Sequence, residues 1–477
     1  MLYKKIYINI VFLCALTYLP LVALAQEDVY TKPLIEVLKE IEKRYHVTFN
    51  YDYRVNDLKV KYANWRYKSD VATTIESVLR PLDLLYTETS KGNYQITPFE
   101  YYRLTEQEGK EHLNQLLKLY DNADQFSERR KALKDCILRT LGITNFQKTS
   151  DLNPIYNSKI KMDGYTVENV AIESMPGVLV FGTLYTPTVS KAPYPVIVSP
   201  HGHFFNEQNP SNEADSGRYT SDMQHRCATL AKMGAVVFNY DMYAWGESSL
   251  QTGGFASHDT GFALAMQTWN SKRVLDFLLS LKNVDKNRVG VTGASGGGTQ
   301  TFLLAALDDR VTVSVPVVMV SSSFYGGCSC ESGLPIHDIC DGSKTNNAEI
   351  AALFAPKPQL VISDGADWTK SVPNTDYPYL RKVYGFYGSE PSIESAYFPN
   401  GQHDYNFLKR EPMYRFFAKH LGLNLRAILD KNGKIVENGV SVQKNKEMRV
   451  FSDGKIPNTA LKSHTDIVNA FRKYHYN

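Results

Sequence analysis

Hydrophobic positions along this chain change their period several times, and each change marks an element. Between Asp28 and Pro98, Leu34, Val37, Leu38 and Ile41 recur at helical spacing, and Val47, Phe49 and Tyr51 alternate as a strand. Val71, Ile75, Val78 and Leu79 mark a second helix, and Leu84–Tyr86 with Tyr94–Ile96 predicts a hairpin around Lys91-Gly92-Asn93. Residues 103–143 read as two helices, with apolar stripes at Leu113, Leu116, Leu117 and Tyr120 and at Leu133, Cys136, Ile137 and Leu141. The charged run from Glu128 to Lys131 is expected to be a solvated helix face.

From Tyr165 the period becomes that of strands. Val167–Ser174 and Leu179–Thr186 alternate around Met175-Pro-Gly177, an antiparallel opening pair. Continuous apolar strands follow at Val196–Ser199, Ala235–Tyr240, Val289–Thr292, Val311–Val320, Gln359–Ile362 and Ser395–Phe398. Helices are predicted among them at Arg226–Met233, Thr260–Leu281, Thr299–Leu307, Tyr377–Tyr387 and Met413–His420. Strands that are apolar throughout, alternating with helices, predict an α/β fold with a mostly parallel sheet flanked by helices. The small N-terminal segment adds an α+β domain.

At the centre of this alternation lies Gly293-Ala-Ser-Gly-Gly297, a G-x-S-x-G turn between a strand and a helix. Small neighbours suit a strained turn that other chains must approach closely. Ser295 is the candidate nucleophile, and the helix after it would aim N–H groups at a developing oxyanion. A serine hydroxyl needs a base, and the base an orienting acid. In nucleophile-elbow enzymes these follow in the order serine, acid, histidine. His403, in Gly401-Gln-His-Asp404 after the last strand, is the candidate base; His225, His258 and His420 are poorer placed, in or beside helices or ahead of the elbow, and His337 sits in a cysteine-rich loop. For the acid, Asp367 is preferred over Asp364 in the same strand-ending loop, with Glu331 as a third candidate. Backbone N–H groups of Gly296 and His203 are the candidate oxyanion hole. Pairing His201 with His203 as metal ligands is set aside, because no carboxylate stands at helical spacing beside them; neither metal nor cofactor is expected.

Composition changes the picture in two places. Met1–Ala25 has Lys4 and Lys5, an apolar run and Ala23-Leu-Ala25 before a polar stretch, the layout of a cleaved signal peptide. The formal charge of +3 includes those two lysines, so the mature chain is nearly neutral and nucleic acid is not an expected partner. Export to a periplasm or the outside permits disulfides. Of six cysteines, Cys14 would be removed with the signal. Cys136 and Cys227 are expected as buried thiols, and either Cys328 or Cys330 is expected to bridge to Cys340.

Several motifs occur in order: Pro200-His-Gly-His203, Asp241-Met-Tyr-Ala-Trp-Gly-Glu-Ser248, Gly293–Gln300, Gly326-Gly-Cys-Ser-Cys-Glu331, Ser363–Lys370 and Gly401–Asp404. Together they resemble the secreted carbohydrate esterases of the α/β-hydrolase superfamily, the acetyl xylan esterase-like enzymes that include pectin methylesterases of gut Bacteroidetes. The resemblance runs from about residue 103 to the end and implies cofactor-free ester hydrolysis on plant polysaccharide. Methyl esters of pectic uronic acids are the favoured substrate and acetyl esters of xylan or pectin the alternative; a non-catalytic envelope glycan-binding protein is the alternative of another class. Candidate substrate contacts are Trp245, Trp368, Arg226 and Lys370, with Arg410 a further cation and Phe204 a further acyl-pocket wall. Residues 26–98 resemble the short N-terminal domain of secretins and TonB-dependent receptors, which implies a Gram-negative envelope and a protein partner there. The expected organisation is a signal peptide (1–25), this domain (26–98), a helical connection (99–150) and a catalytic domain (151–477).

Overall fold

The computed structural model describes residues 31–98, 104–144, 151–205 and 215–476, except 52–54, 56–57, 61–62, 80–81, 83, 339 and 341. The segment read as a signal peptide, with Cys14, lies outside the described residues. The chain divides into two compact units, Met1–Phe99 and Glu100–Asn477.

In the first unit, β1 (Lys32–Pro33) leads into α1 (Leu34–Tyr45), followed by β2 (Thr48–Asn50), β3 (Lys59–Val60), α2 (Val71–Leu79), β4 (Leu84–Ser90) and β5 (Asn93–Pro98). α1 buries Leu34, Val37, Leu38 and Ile41, the stripe its sequence spacing dictates, and ends at His46 in the left-handed region. β4 and β5 form the hairpin, turning at Gly92 with φ 76°, and β2 joins β5 in parallel. Their inner faces share one core, in which Phe49, Ile75, Leu79, Tyr94 and Ile96 meet the α1 stripe.

The second unit opens with α3 (Glu106–Leu116) and α4 (Ala123–Thr140). Thr105 and Glu108 form a reciprocal capping box at the start of α3. In the 128–131 run Glu128 and Lys131 are exposed as expected, but Arg129 departs from that reading. Arg129 is buried and pairs with the buried Glu349, 3.0 Å from Nε to Oε1, while Tyr120 donates to the same carboxylate. Period alone reads such an arginine as surface, because its partner lies 220 residues away.

Nine strands form the main sheet: β6 (Ile155–Lys161), β7 (Tyr165–Met175), β8 (Val178–Pro187), β9 (Tyr194–Pro200), β10 (Val236–Tyr240), β11 (Val284–Ala294), β12 (Val313–Val317), β13 (Gln359–Asp364) and β14 (Ile393–Phe398). They lie in the order β14-β13-β12-β11-β9-β10-β8-β7-β6. The six from β14 to β10 run parallel, and β8, β7 and β6 continue antiparallel. Edge strand β6 is mostly exposed and lacks alternation, so pattern reading passes over it. The longer helices are α5 (Ser221–Lys232), α6 (Gly261–Ser280), α7 (Gly296–Leu307), α8 (Asp376–Phe386), α9 (Phe407–Leu421) and α10 (His464–Tyr476). α9 begins well before the expected Met413. Asn406 caps it by accepting from the N–H groups of Leu408 and Lys409, and the helix continues through Pro412. No helix among the described residues is long and apolar enough to cross a membrane.

Cys227 is as expected, but the other cysteines pair differently. Cys136 on α4 is bonded to Cys340, Cys328 is bonded to Cys330, and Cys227 is a buried free thiol. Cys136 sits on an apolar stripe, yet it faces the loop that carries Cys340.

Candidate active site

Because β9 to β14 are parallel, the loops after them share one edge of the sheet, where α/β folds place their sites. The strand order turns back between β9 and β11, and the elbow sits at that switch point. β11 ends at Ala294 and α7 starts at Gly296, so Ser295 alone makes the turn, with φ 57° and ψ −127°. Such a backbone costs a non-glycine residue about 1–3 kcal/mol. Its N–H donates to Val317 O at 3.1 Å, which ties the elbow to the end of β12. The neighbouring glycines are dictated by crowding. A Cβ at Gly293 would stand 2.6 Å from the carbonyl oxygens of Gly297 and Pro200, and one at Gly297 2.6 Å from Pro200 O. A Cβ at Gly202 would stand 2.4 Å from Ala294 O and 2.9 Å from Ser295 Cβ. The loop after β9 is thus pressed against the nucleophile. The N–H groups opening α7, Gly296 first, have no partner within the helix and remain available to an anion.

Asp367 and His403 meet across the loops after β13 and β14, with Oδ2 2.6 Å from Nδ1. The carboxylate is buried, and its other oxygen accepts from Thr369 N at 2.6 Å and Thr369 Oγ1 at 2.5 Å. An imidazole that donates from Nδ1 to a carboxylate keeps its Nε2 lone pair free to accept a proton. Asp364 does different work. Fully buried, it pairs with Lys409 Nζ at 2.8 Å, and the same ammonium holds Asp404 Oδ1 at 2.8 Å and the carbonyl of Gln402. Lys409 therefore clasps the loop that carries His403. Glu331, the third acid candidate, turns to His203 instead: Oε1 is 3.4 Å from Nδ1, and Oε2 accepts from Gly327 N at 2.7 Å. The His403 ring lies 4.8 Å from that of Trp368 and 6.0 Å from that of Phe204.

Two buried assemblies hold the remaining loops. His201 accepts from Met242 N at its Nε2 (3.0 Å) and donates from Nδ1 to Gly202 O (2.9 Å), joining the loops after β9 and β10; burial pushes its pKa down to about 3, so it stays neutral. Beneath, Arg218 binds Asp241 and Glu247, each at 2.7 Å, with all three side chains fully buried. Glu247 in turn accepts from the N–H groups of Val450 and Phe451, and so the Asp241–Ser248 motif is anchored to the C-terminal segment.

The substrate-contact candidates separate. Trp245 is 3% exposed and packs among the rings of His201, His203 and His258. Arg226 is 1% exposed, lies over the Tyr405 ring and donates to Ser199 Oγ, so it holds the base of the loop rather than offering a charge to solvent. Arg410 is consumed by Glu437 and Asp222. Lys370 is half-exposed and paired with Glu106 at 2.9 Å. Trp368 stacks on Phe324 at 3.8 Å, and its buried Nε1 has no hydrogen-bond partner among the described residues. Beside the site opens a cavity of about 700 Å³, whose wall includes His203, Phe204, Phe205, Asp404, Tyr405 and Lys444. Phe205 and Lys444 were not singled out from the sequence; nothing in the local pattern marks them, since the cavity closes only when the 442–445 segment folds back.

One grouping was also missed. His203 Nε2 lies 2.7 Å from His258 Nε2, 3.3 Å from Cys330 Sγ and 3.8 Å from Cys328 Sγ. Three separate loops supply these residues, so no local spacing announces them.

A parallel sheet whose carboxyl edge carries a strained serine elbow and a histidine bonded to a carboxylate defines an α/β-hydrolase. The description Glucuronyl esterase, fungi matches residues 182–331, from within β8 to Glu331. Over 78 residues the chain is 36% identical to a 4-O-methyl-glucuronoyl methylesterase of Neurospora crassa, a match spanning 16% of this chain and only 18% of that enzyme. The solved structure of Methylesterase BT1017 is 38% identical, with TM-score 0.74, covering 94% of this chain and 97% of that one. A glucuronoyl esterase from Solibacter usitatus is 18% identical, with TM-score 0.47, covering 63% of this chain and 94% of that one. The chain belongs to the family of Methylesterase BT1017, and it is a carboxylic ester hydrolase of the carbohydrate esterase kind.

Proposed function

We propose that this protein is an exported serine esterase that removes methyl groups from uronic acid esters of plant cell-wall polysaccharide, pectic uronates foremost. The observation that carries the reading is the 2.6 Å hydrogen bond from His403 to Asp367 on the sheet edge that also bears the strained Ser295. Ser295 Oγ attacks the ester carbonyl as His403 Nε2 takes its proton. The N–H groups of Gly296 and His203 hold the oxyanion. His403 then protonates the departing alcohol, and water repeats the sequence on the acyl-enzyme. Asp367 keeps the imidazole in the tautomer that accepts at Nε2.

The substrate class is supported by the glucuronyl esterase and methylesterase relatives. In this reading the cavity beside His203 and Asp404 takes the sugar chain, and the exposed Lys444 on its wall draws neighbouring free carboxylates. Export follows from the Met1–Ala25 layout, and the Cys136–Cys340 bond suits an oxidising compartment. The N-terminal unit serves as a docking domain for an envelope protein, as its resemblance to secretin and TonB-receptor domains implies. The test supplies methyl-esterified pectin and acetylated xylan separately. Methanol release that is lost in Ser295→Ala is the expected result. Acetate release without methanol would overturn the substrate, and activity undiminished in Ser295→Ala would overturn the mechanism.

A further inference from the structure

We propose that His203, His258, Cys328 and Cys330 form a tetrahedral site for a zinc-like divalent cation when the Cys328–Cys330 pair is in its dithiol form. One donor atom from each residue lies within 4.8 Å of all the others. The groups behind the imidazoles orient them for this. His258 Nδ1 is 2.6 Å from the Tyr243 carbonyl, which can only accept, so Nδ1 carries the proton and Nε2 a lone pair. His203 Nδ1 faces the Glu331 carboxylate at 3.4 Å. An N–H there leaves the lone pair on His203 Nε2, which lies 2.7 Å from His258 Nε2. Without metal, one proton on His203 Nε2 bridges the rings. With metal, that proton moves to Nδ1, toward Glu331, and both lone pairs bind the cation. A backbone carbonyl behind one imidazole and a carboxylate behind the other are the outer partners that metal-bound histidines carry.

The sulfurs complete the set. Zinc–nitrogen bonds of about 2.0 Å and zinc–sulfur bonds of about 2.3 Å place tetrahedral N and S roughly 3.5 Å apart. The two sulfurs stand 3.3 and 3.8 Å from His203 Nε2, on either side of that value. In the structure the sulfurs are bonded to each other, and each can serve that bond or a metal but not both. A dithiol reductant breaks the bond, giving two thiols and its own disulfide, a transfer of two electrons and two protons. The cation then displaces one proton from each thiol, leaving a neutral centre with two thiolates and two neutral imidazoles. Four protein ligands leave no open position, so the centre is structural. It would fasten the loops after β9, β10 and β12 beside the oxyanion side of the elbow, where a Cβ on Gly296 would lie 3.2 Å from His203 Cε1.

The experiment uses the mature full-length protein, reduced with dithiothreitol, desalted without oxygen and titrated with Zn²⁺ or Co²⁺. The expected result is one tightly held equivalent per chain. The Co²⁺ form should show thiolate-to-metal charge transfer and tetrahedral d–d absorption. Both should be lost in His258→Gln and in Cys330→Ser, with folding checked by circular dichroism. A second measurement needs no variant: iodoacetamide labelling with peptide mapping, which also separates these thiols from Cys136 and Cys340. Zn²⁺ should slow labelling of Cys328 and Cys330 at least tenfold. Equal labelling with and without Zn²⁺, or unchanged stoichiometry in folded variants, overturns the site. Neither readout depends on ester hydrolysis.

Discussion

Asp367 and His403, 36 residues apart in the chain, share a 2.6 Å hydrogen bond that no other carboxylate of the loop cluster competes for. Asp364 is committed to Lys409 and Glu331 faces His203. Two substitutions should therefore separate. Asp367→Asn leaves a side chain that can donate to Nδ1 and favours the wrong tautomer, so kcat should fall by about 10³–10⁴ with little change in KM. Glu331→Gln keeps the bond to Gly327 N and should cost far less. Steady-state kinetics on one ester substrate decides, and an Asp367→Asn enzyme as fast as wild type would remove this carboxylate from the mechanism.

The elbow strain predicts opposed effects on stability and activity. Ser295 sits at φ 57°, ψ −127°, where only glycine is at ease. Ser295→Gly should be inactive, yet more stable than Ser295→Ala by about 1–3 kcal/mol, since alanine keeps the Cβ that creates the strain. Denaturant unfolding of the two variants side by side measures the difference.

Gly202 bears on geometry rather than strain. Alanine there would set its Cβ 2.4 Å from Ala294 O and 2.9 Å from Ser295 Cβ, against backbone that cannot swing aside. The loop after β9 must retreat, taking the His203 N–H from its proposed place at the oxyanion. Gly202→Ala should lower kcat by about 10²–10³, the cost of losing one oxyanion donor. Its melting temperature should change little if the loop alone moves, and thermal unfolding beside kinetics checks both halves.

What could be read from the chain follows the reach of each interaction. The parallel sheet was legible because buried strands are apolar throughout. Ser295, Asp367 and His403 were nominated because each follows a strand end by a few residues, and parallel strands carry such positions to one edge. Arg129, Arg226 and the cysteine pairing were not legible, since each depends on partners far along the chain: Glu349, Tyr405 and Cys340. The convergence of His203 with His258, Cys328 and Cys330 belongs with these. His201 does not join them, for its Nε2 accepts from Met242 N.

His337 supplies a pH dependence. It is fully buried against the Tyr325 ring at 4.2 Å and donates to Asn347 Oδ1 at 2.8 Å, and burial pushes its pKa down from 6.5 to about 4. Below pH 6.5 the unfolded chain binds a proton that the folded chain refuses, so stability falls as pH drops from about 6.5 toward 4. The loss is at most about 1.4 kcal/mol per pH unit for this one group. His337→Gln should flatten that part of the profile. Urea midpoints at pH 7 and pH 5 for both proteins provide the comparison, and parallel profiles would show that His337 does not set the slope.

The Cys136–Cys340 bond closes the longest covalent loop in the described chain, joining α4 to the loop before Asn347 over a separation of 204 residues. A cross-link stabilises by restricting the unfolded chain, and the restriction grows slowly with loop length. Replacing both cysteines with serine should cost about 2–5 kcal/mol. Neither cysteine takes part in the hydrogen bond between Asp367 and His403, so kcat at 25 °C should be preserved in the molecules that remain folded. The double variant should thus unfold at clearly lower denaturant while its initial rate per folded molecule matches wild type. A matching fall in both would mean that this staple also holds the catalytic loops, through the connection from Cys340 back to Cys330.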